Sequence, residues 1–279
     1  MSLVNGLFNN LAKHLSRADE TQGGAPFPHV DLFYWKPAGN RLNFGDHLAK
    51  IIVGKLLAEH GHMLEEETSA HRRLLAIGSI LHFADDGDVV WGSGINGKVD
   101  LAAHQFKNLD VRAVRGKLTR DFLVQRGIAV PDVYGDPALL LPHLFPGCFV
   151  KNIQTEYVVV PNLHDLLLTQ KSNMQHIVSP LWSWNRCVEQ ILKGELVIAS
   201  SLHGLIIAEA YGVPARYLRL SEEESIFKYN DYMSGTGRAE ITPAFSIEEA
   251  LEMGGMAPPK FDPKPLLKAF PLDLWDGPA

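Results

Sequence analysis

The stretch LVIASSLHGLIIAEAYGVP, residues 196–214, decides how this chain folds. Leu196 to Ala199 is a short apolar run that predicts a buried β-strand, and the apolar positions from Leu205 to Tyr211 predict a helix that a glycine and a proline end. In an open α/β sheet, ligands bind where the carboxyl end of a strand leads into a helix, and the unpaired N–H groups of the first helical turn favour an anion. His203 stands at this junction, either as a group that contacts a ligand or as a histidine that caps a buried strand end.

The same order of strand, glycine turn and helix recurs on both sides of this stretch. We predict further strands at residues 31–35, 74–77, 89–91, 111–114, 157–160, 177–178 and 215–220, and helices at 1–20, 44–60, 117–125 and 182–193. This alternation is typical of an α/β fold with parallel sheets and crossover helices. Glycine and proline cluster at residues 134–147, where the alternation pauses, so we place a domain boundary there and divide the chain into residues 1–145 and 146–279.

Composition excludes several classes of protein. A chain of 279 residues with 46% hydrophobic and 21% charged side chains is typical of globular domains, and its net charge of −6 argues against a nucleic-acid partner. Cys148 and Cys187 form neither a disulfide framework nor a metal-ligand pattern, and His60 and His62 lack a third ligand nearby. The sequence shows neither a signal peptide nor an apolar run long enough to span a membrane. We therefore expect a cytoplasmic protein with no bound metal and no transmembrane segment.

Several residues at strand ends are candidates for chemistry. The segment Gly92–Gly97 matches the glycine spacing of a dinucleotide-binding loop, but no amphipathic helix follows it, so a tight turn is the favoured interpretation. Arg115 follows a predicted strand, where its guanidinium fork can bind a carboxylate or a phosphate. Asp46 is either a helix-start carboxylate or a general base. His164 follows the strand at 157–160, at the expected edge of a site.

Two further features are left open or excluded. Ser201 lies near His203 but outside a nucleophile-elbow motif, so it does not predict a hydrolase. Lys228 and Tyr232 belong to a polar segment that we interpret as surface, with closure over a site as the alternative.

Seven short segments, taken together and in this order, resemble the polysaccharide pyruvyl transferase family. They are residues 43–46 (NFGD), 77–82 (IGSILH), 90–95 (VWGSGI), 114–120 (VRGKLTR), 134–138 (YGDPA), 200–204 (SSLHG) and 228–232 (KYNDY). The resemblance runs from about residue 30 to residue 240. It implies two Rossmann-like halves in a GT-B-like arrangement, with the site in the cleft between them and the C-terminal tail packed back on the first half.

The resemblance also implies a reaction. Members of the family transfer the pyruvyl group of phosphoenolpyruvate to two hydroxyls of a sugar, which forms a cyclic ketal and releases phosphate. His203 would then lie beside phosphoenolpyruvate, Arg115 would bind its charge and Asp46 would lie near the acceptor. Some members carry an arginine where this chain has Ser201. By the same resemblance, phosphoenolpyruvate would be the donor substrate, the acceptor would be a sugar or oligosaccharide that is free or lipid-linked, and no cofactor would be required.

Substrate contacts are expected around these three catalytic residues. The expected contact residues are Asn43, Gly45, Gly92, Ser93, Gly94, His164, Ser201, Leu202, Gly204, Lys228 and Tyr232.

Two other functions stay open from the sequence. A nucleotide-sugar glycosyltransferase of the same architecture would need an acidic residue to bind a ribose, and the run Glu222–Glu224 offers one. A relative that binds an anionic glycan without turnover is the second alternative, and the serine at position 201 is its main support.

Overall fold

The computed structural model describes residues 26–39, 41–172 and 174–276, so the helix predicted over residues 1–20 lies outside the described residues. Strands β1 (Val30–Phe33), β2 (Arg72–Leu75), β3 (Val89–Trp91) and β4 (Asp110–Ala113) form a parallel sheet in chain order. Helix α1 (Phe44–Glu59) connects β1 to β2, and α2 (Lys117–Gln125) follows β4. In a Rossmann sheet the first three strands are added toward one edge and the fourth pairs with the other side of the first strand. Here each of the four described strands pairs with the one before it, so the sheet grows toward one edge only. The first half is therefore α/β with a parallel sheet, but its described strand order is not the Rossmann order implied by the resemblance.

The second sheet is parallel and has the strand of the opening stretch at its centre. Strands β5 (Thr155–Val160), β6 (Gly194–Ala199) and β7 (Ala215–Tyr217) pair in that order. Single parallel bridges add Ile177 beside β5 and Ala244 beside Leu218, just after β7. The chain therefore changes direction across the sheet between β5 and β6, which creates a crevice at the carboxyl ends of these two strands.

Shorter elements complete the fold. Helices α3 (Leu141–Leu144), α4 (Leu166–Lys171), α5 (Trp184–Ile191), α6 (Leu202–Ala210), α7 (Phe227–Gly235), α8 (Ile247–Met253) and α9 (Pro263–Lys268) accompany 3₁₀ turns at Leu81–Phe83, Leu101–Ala103, Pro137–Leu140 and Leu272–Trp275. Helix α7 corrects the interpretation of residues 228–232 as a polar surface segment. Asp231 and Tyr232 are fully buried there, because their polar atoms bond to Arg115 and Glu209 inside the molecule.

One hydrophobic cluster continues from the first sheet to the second. It contains Leu48 of α1, Trp91 of β3, Val160 of β5 and Ile206 of α6. The stretch from residue 135 to residue 141, next to the predicted boundary, is buried within the fold rather than exposed as a linker. The division at residue 145 stays a prediction.

The C-terminal segment packs against the first sheet. The indole Nε1 of Trp91 donates to the carbonyl oxygen of Leu266 at 2.9 Å, and the Phe270 ring meets the Trp91 ring edge-on. Arg112 on β4 pairs with Asp273 at 2.8 Å. Among the described residues, no helix is both long enough and apolar enough to cross a membrane.

Candidate functional site

A cavity of about 260 Å³ lies where the carboxyl ends of the two sheets face each other. This is just below the roughly 300–1,000 Å³ typical of pockets for drug-sized ligands, so the cavity suits a small molecule. Polar side chains from both halves line it: Asn43, Asp46, Ser79, His82, Asn96 and Lys98 from the first, and Asn162, His164, Ser201, His203, Glu224 and Lys228 from the second.

The start of α6 holds His203 at the cavity wall. Ser201 caps the helix, since its Oγ accepts the N–H of Gly204 at 3.2 Å. The imidazole packs against the backbone of Gly45, where an added Cβ would lie 2.2 Å from His203 Nδ1. Only a glycine at position 45 leaves room for this ring. The first-turn N–H groups of residues 202 and 203 have no intrahelical acceptor, which makes this helix end attractive to an anion.

Asp46 lies in the first turn of α1, across the cavity from α6. Its Oδ2 accepts a hydrogen bond of 2.6 Å from Asn43 Nδ2. Burial raises the pKa of this carboxyl, while the charges of His203 and Lys228 and the bond from Asn43 act in the opposite direction. A carboxyl with a raised pKa exchanges protons nearer to neutral pH, as a general base or acid requires.

Two lysines from different halves share one carboxylate in the cavity. Lys98 Nζ lies 2.9 Å from Glu224 Oε1, Lys228 pairs with the other oxygen of Glu224, and His164 Nε2 lies 3.8 Å from Oε1. Burial lowers the pKa of Lys228, as do the charges of Lys98 and Arg115, while Glu224 opposes them. The structure therefore places two cations at the cavity wall, where an anionic ligand would compete with Glu224 for them.

Arg115, whose guanidinium we expected to bind a ligand, does not line the cavity. The side chain is fully buried, with Nε 3.0 Å from Asp231 Oδ2, Nη1 donating to Ser79 Oγ at 2.6 Å and Nη2 donating to the carbonyl of Ile95 at 2.6 Å. A buried charge needs such partners, and here they occupy Nε, Nη1 and Nη2 of the guanidinium. Arg115 therefore supports the site indirectly, because it holds Ser79 at the cavity wall.

The structure brings together some of the other predicted contact residues and separates the rest. Asn43, His164, Ser201, Leu202 and Lys228 line the cavity. Gly45 and Gly204 lie beneath it, where Gly204 allows α6 to approach Val160 of β5.

Four predicted contacts lie away from the cavity. Ser93 Oγ and the N–H of Gly94 both donate to the carbonyl of Gly78, and Gly92 packs against Pro137. Residues 93–96 form no turn and bond instead to Gly78 and Arg115, so the predicted tight turn is not formed; no α-helix follows Gly97 directly. Tyr232 donates from its hydroxyl to Glu209 Oε2 at 2.6 Å, within the core.

Three further residues belong to the site or support it: Lys98 and Asp136 were not predicted as site residues, and Glu224 was considered only as a ribose ligand in the glycosyltransferase alternative. Lys98 lies seven residues after the end of β3, in the segment that follows the carboxyl end of this strand, and segments in that position commonly bind ligands. Glu224 lies in an acidic run typical of surface loops, and its pairing with Lys98 joins residues 126 positions apart. Asp136, between Gly135 and Pro137, is fully buried beside His203, with Oδ2 3.7 Å from Nε2.

The chain was compared with protein-family models, with curated sequences and with solved structures. A family model described as polysaccharide pyruvyl transferase matches residues 66–222. Succinoglycan biosynthesis protein ExoV of Rhizobium meliloti (strain 1021) is 26% identical over 235 residues, which cover 80% of this chain and 71% of that protein. The uncharacterized protein L143 of Acanthamoeba polyphaga mimivirus is 24% identical over 219 residues, 70% of this chain and 71% of its own. Among solved structures, the functionally uncharacterized protein KP1_0663 of Klebsiella pneumoniae subsp. pneumoniae NTUH-K2044 aligns over 87% of this chain and 98% of its own, with a TM-score of 0.41 and 15% identity.

Proposed function

This chain belongs to the polysaccharide pyruvyl transferase family, and we propose that it transfers the pyruvyl group of phosphoenolpyruvate to two hydroxyls of one sugar. The products are a cyclic ketal on an exopolysaccharide or its precursor and inorganic phosphate. One observation carries the proposal: a buried carboxyl, an imidazole and two lysines, from both halves of the chain, line a single cavity at the carboxyl ends of the strands.

The cations of the cavity suit the donor. Phosphoenolpyruvate carries a phosphate and a carboxylate on a three-carbon frame, so its binding requires positive charge and N–H donors. Lys98, Lys228 and the start of α6 supply both. Some members of the family carry an arginine at the position of Ser201, and here these groups would supply the positive charge of that arginine. Arg115 cannot supply it, because its guanidinium is paired with Asp231.

The two proton-exchanging groups suit the chemistry. The oxygen of the first sugar hydroxyl adds to the central carbon of phosphoenolpyruvate, and Asp46 takes the proton of that hydroxyl. Protonated His203 gives a proton to the methylene carbon, which becomes a methyl group. The second hydroxyl then displaces phosphate from the same carbon. Its proton goes to His203 and the proton on Asp46 leaves with the phosphate, so both groups return to their starting states.

The rest of the proposal concerns the setting of the reaction. ExoV, a relative by sequence, is named for succinoglycan biosynthesis, which supports an extracellular polysaccharide as the final product. We propose that the acceptor is a sugar or oligosaccharide, free or lipid-linked, and that the reaction takes place on the cytoplasmic side. The proposed reaction needs no cofactor. Within the run Glu222–Glu224, which the nucleotide-sugar alternative offers as a ribose ligand, Glu224 is already paired with Lys98 and Lys228, and this favours the pyruvyl transfer over that alternative.

Ligand binding and phosphate release test the proposal together. A ligand that binds only the folded state raises the melting temperature, so phosphoenolpyruvate should do so and nucleoside diphosphates should not. Phosphate should be released from phosphoenolpyruvate when hexosides or oligosaccharides are added. His203→Ala should lower this rate by about 10²–10⁴-fold, whereas His143→Ala, at an exposed position on α3, should not.

Two results would contradict the proposal. Stabilisation by a nucleoside diphosphate but not by phosphoenolpyruvate would indicate a glycosyltransferase. Stabilisation by glycans without phosphate release from any acceptor would indicate a binding protein.

A further inference from the structure

His203 and Asp136 are two buried polar groups that face each other with no other partner for the facing atoms. His203 Nε2 and Asp136 Oδ2 are 3.7 Å apart, and neither atom has a hydrogen-bond partner among the residues that the structure describes. The aspartate side chain is 0% exposed and the histidine side chain 10%. A buried carboxylate oxygen without a hydrogen bond is unfavourable, and the imidazole is the polar group that faces this one.

The rest of Asp136 is fixed by the backbone. Its Oδ1 accepts the N–H of Ala138 at 3.0 Å and so caps the 3₁₀ turn Pro137–Leu140. This bond leaves Oδ2 as the oxygen directed at His203. The separation of 3.7 Å is longer than a hydrogen bond, as is common for catalytic pairs before substrate binds.

We propose that Asp136 is the positioning residue of His203 and fixes its ring as the Nε2–H tautomer. A carboxylate can only accept a hydrogen bond, so the ring nitrogen that faces it must carry the hydrogen. The nitrogen on the other side, Nδ1, then carries out all proton exchange with substrate. The inference deepens the proposed function, on which its kinetic consequence rests.

The neighbouring charges are consistent with separate roles for the two ring nitrogens, Nε2 facing Asp136 and Nδ1 facing the substrate. Asp46 acts electrostatically on both His203 and Asp136, and it belongs to α1, the helix whose Gly45 contacts Nδ1. The two carboxyl groups therefore serve different parts of the site. Asp46 lines the cavity, where the proposed function places the substrate, whereas Asp136 does not line it and directs its Oδ2 at the histidine.

Histidine ring NMR on the full-length protein tests the tautomer without reference to activity. In protein labelled with ¹⁵N at histidine, signals that disappear in His203→Gln identify the ring of His203. At a pH where the ring is neutral, we expect the Nε2–H form in the wild type. Asp136→Asn should reverse it, because the amide keeps the cap through Oδ1 but turns an NH₂ donor toward Nε2. Asp100→Asn is the matched control, since Asp100 caps the 3₁₀ turn Leu101–Ala103 in the same manner and is exposed.

Kinetics provide the second readout. Asp136→Asn should lower kcat for phosphate release by about 10²-fold or more, since the wrong nitrogen then faces the substrate. The KM for phosphoenolpyruvate should change by less than about threefold, because Lys98 and Lys228 are untouched. Should the asparagine variant fail to fold, Asp136→Ser also retains a capping oxygen and lacks the carboxylate, and the ring should then lose its preference for Nε2–H.

The outcomes separate this inference from the proposed function. Persistence of the Nε2–H form in both Asp136 variants, or an unchanged kcat, overturns the role of Asp136. A wild-type protein that releases no phosphate from phosphoenolpyruvate overturns the proposed function, while the tautomer comparison still decides the inference about Asp136.

Discussion

Asp46 is a carboxyl group that folding removes from water, and burial raises its pKa above the ordinary value of 3.8. The folded state therefore holds a proton on Asp46 more tightly than the unfolded state does. This contribution to stability is present at acid pH and is lost as the pH rises through the folded-state pKa. At neutral pH the molecule thus retains an ionised group in an unfavourable place, as is common in active sites.

We expect Asp46→Asn to raise the melting temperature at pH 7 by about 2–4 °C, or about 1 kcal/mol, and to lower phosphate release by about 10²–10⁴-fold. Asparagine stays neutral at every pH and keeps an oxygen for the bond from Asn43. The gain should shrink as the pH approaches 4, where the wild-type carboxyl also becomes neutral. Thermal melts from pH 4 to 8 measure this difference.

Asp86 provides a control of opposite sign. It accepts the backbone N–H groups of Lys107 and Asn108, and these bonds lower its pKa. Asp86→Asn should therefore lower the melting temperature at pH 7 and have no effect at acid pH. A loss of stability in Asp46→Asn at pH 7 would show that the ionised carboxyl is favourably held, contrary to the argument above.

Some residues of the site could be predicted from the sequence and others could not. His203, Asp46 and Lys228 were found because a strand end, a helix start and a family motif marked their positions, and each lies at the cavity. Arg115 was marked by the same signals, but its partner Asp231 is 116 positions away and no sequence pattern showed that the two would meet. Lys98 was missed for the same reason, and so was the pairing of Glu224 with two lysines.

At the scale of elements, the fit of α1 against α6 depends on one glycine. Gly45 of α1 lies so close to the His203 ring that an added Cβ would be 2.2–2.8 Å from three ring and side-chain atoms. Gly45→Ala should therefore cost about 1–3 kcal/mol by overpacking and displace the ring, so that phosphate release falls with stability. Melts and phosphate release measure both effects.

The same helix supplies a matched control. A Cβ at Gly54 would meet only Leu64 Cδ1, at 3.7 Å. Gly54→Ala should stabilise the protein by about 0.5–1 kcal/mol, because alanine loses less backbone entropy in a helix than glycine does. Equal effects of the two alanines would show that α1 and α6 are not in tight contact.

Helices and strands were predicted well where the local sequence pattern determines them. They were predicted poorly where contacts with residues distant in the chain determine them. The strand at Val89–Trp91 and the helix at Lys117–Gln125 agree with the structure in full, because their apolar spacing and flanking glycines are local signals. The order of strands in each sheet follows from long-range pairing, so no local signal gave it. Helix α7 was read as surface because its polar residues find their partners only in the folded chain.

At the scale of the whole molecule, two features join the halves. The hydrophobic cluster that holds Leu48, Trp91, Val160 and Ile206 passes through both sheets. The ion pair of Arg115 and Asp231, 3.0 Å long and fully buried, connects the end of β4 to α7. A continuous core implies that neither sheet can lose its packing while the other keeps it.

We therefore expect a single unfolding transition. Hydrogen exchange followed by mass spectrometry in increasing guanidinium should show β1–β4 and β5–β7 losing protection at the same concentration, because one core protects both. Asp231→Asn should lower the free energy of unfolding by about 3–5 kcal/mol, since it leaves the Arg115 charge buried and unpaired. Asp273→Asn, which removes a half-exposed partner of Arg112, should cost about 0–1 kcal/mol. Two separate transitions would instead support independent domains on either side of residue 145, and the cavity between the sheets would then owe its shape to docking rather than to a shared core.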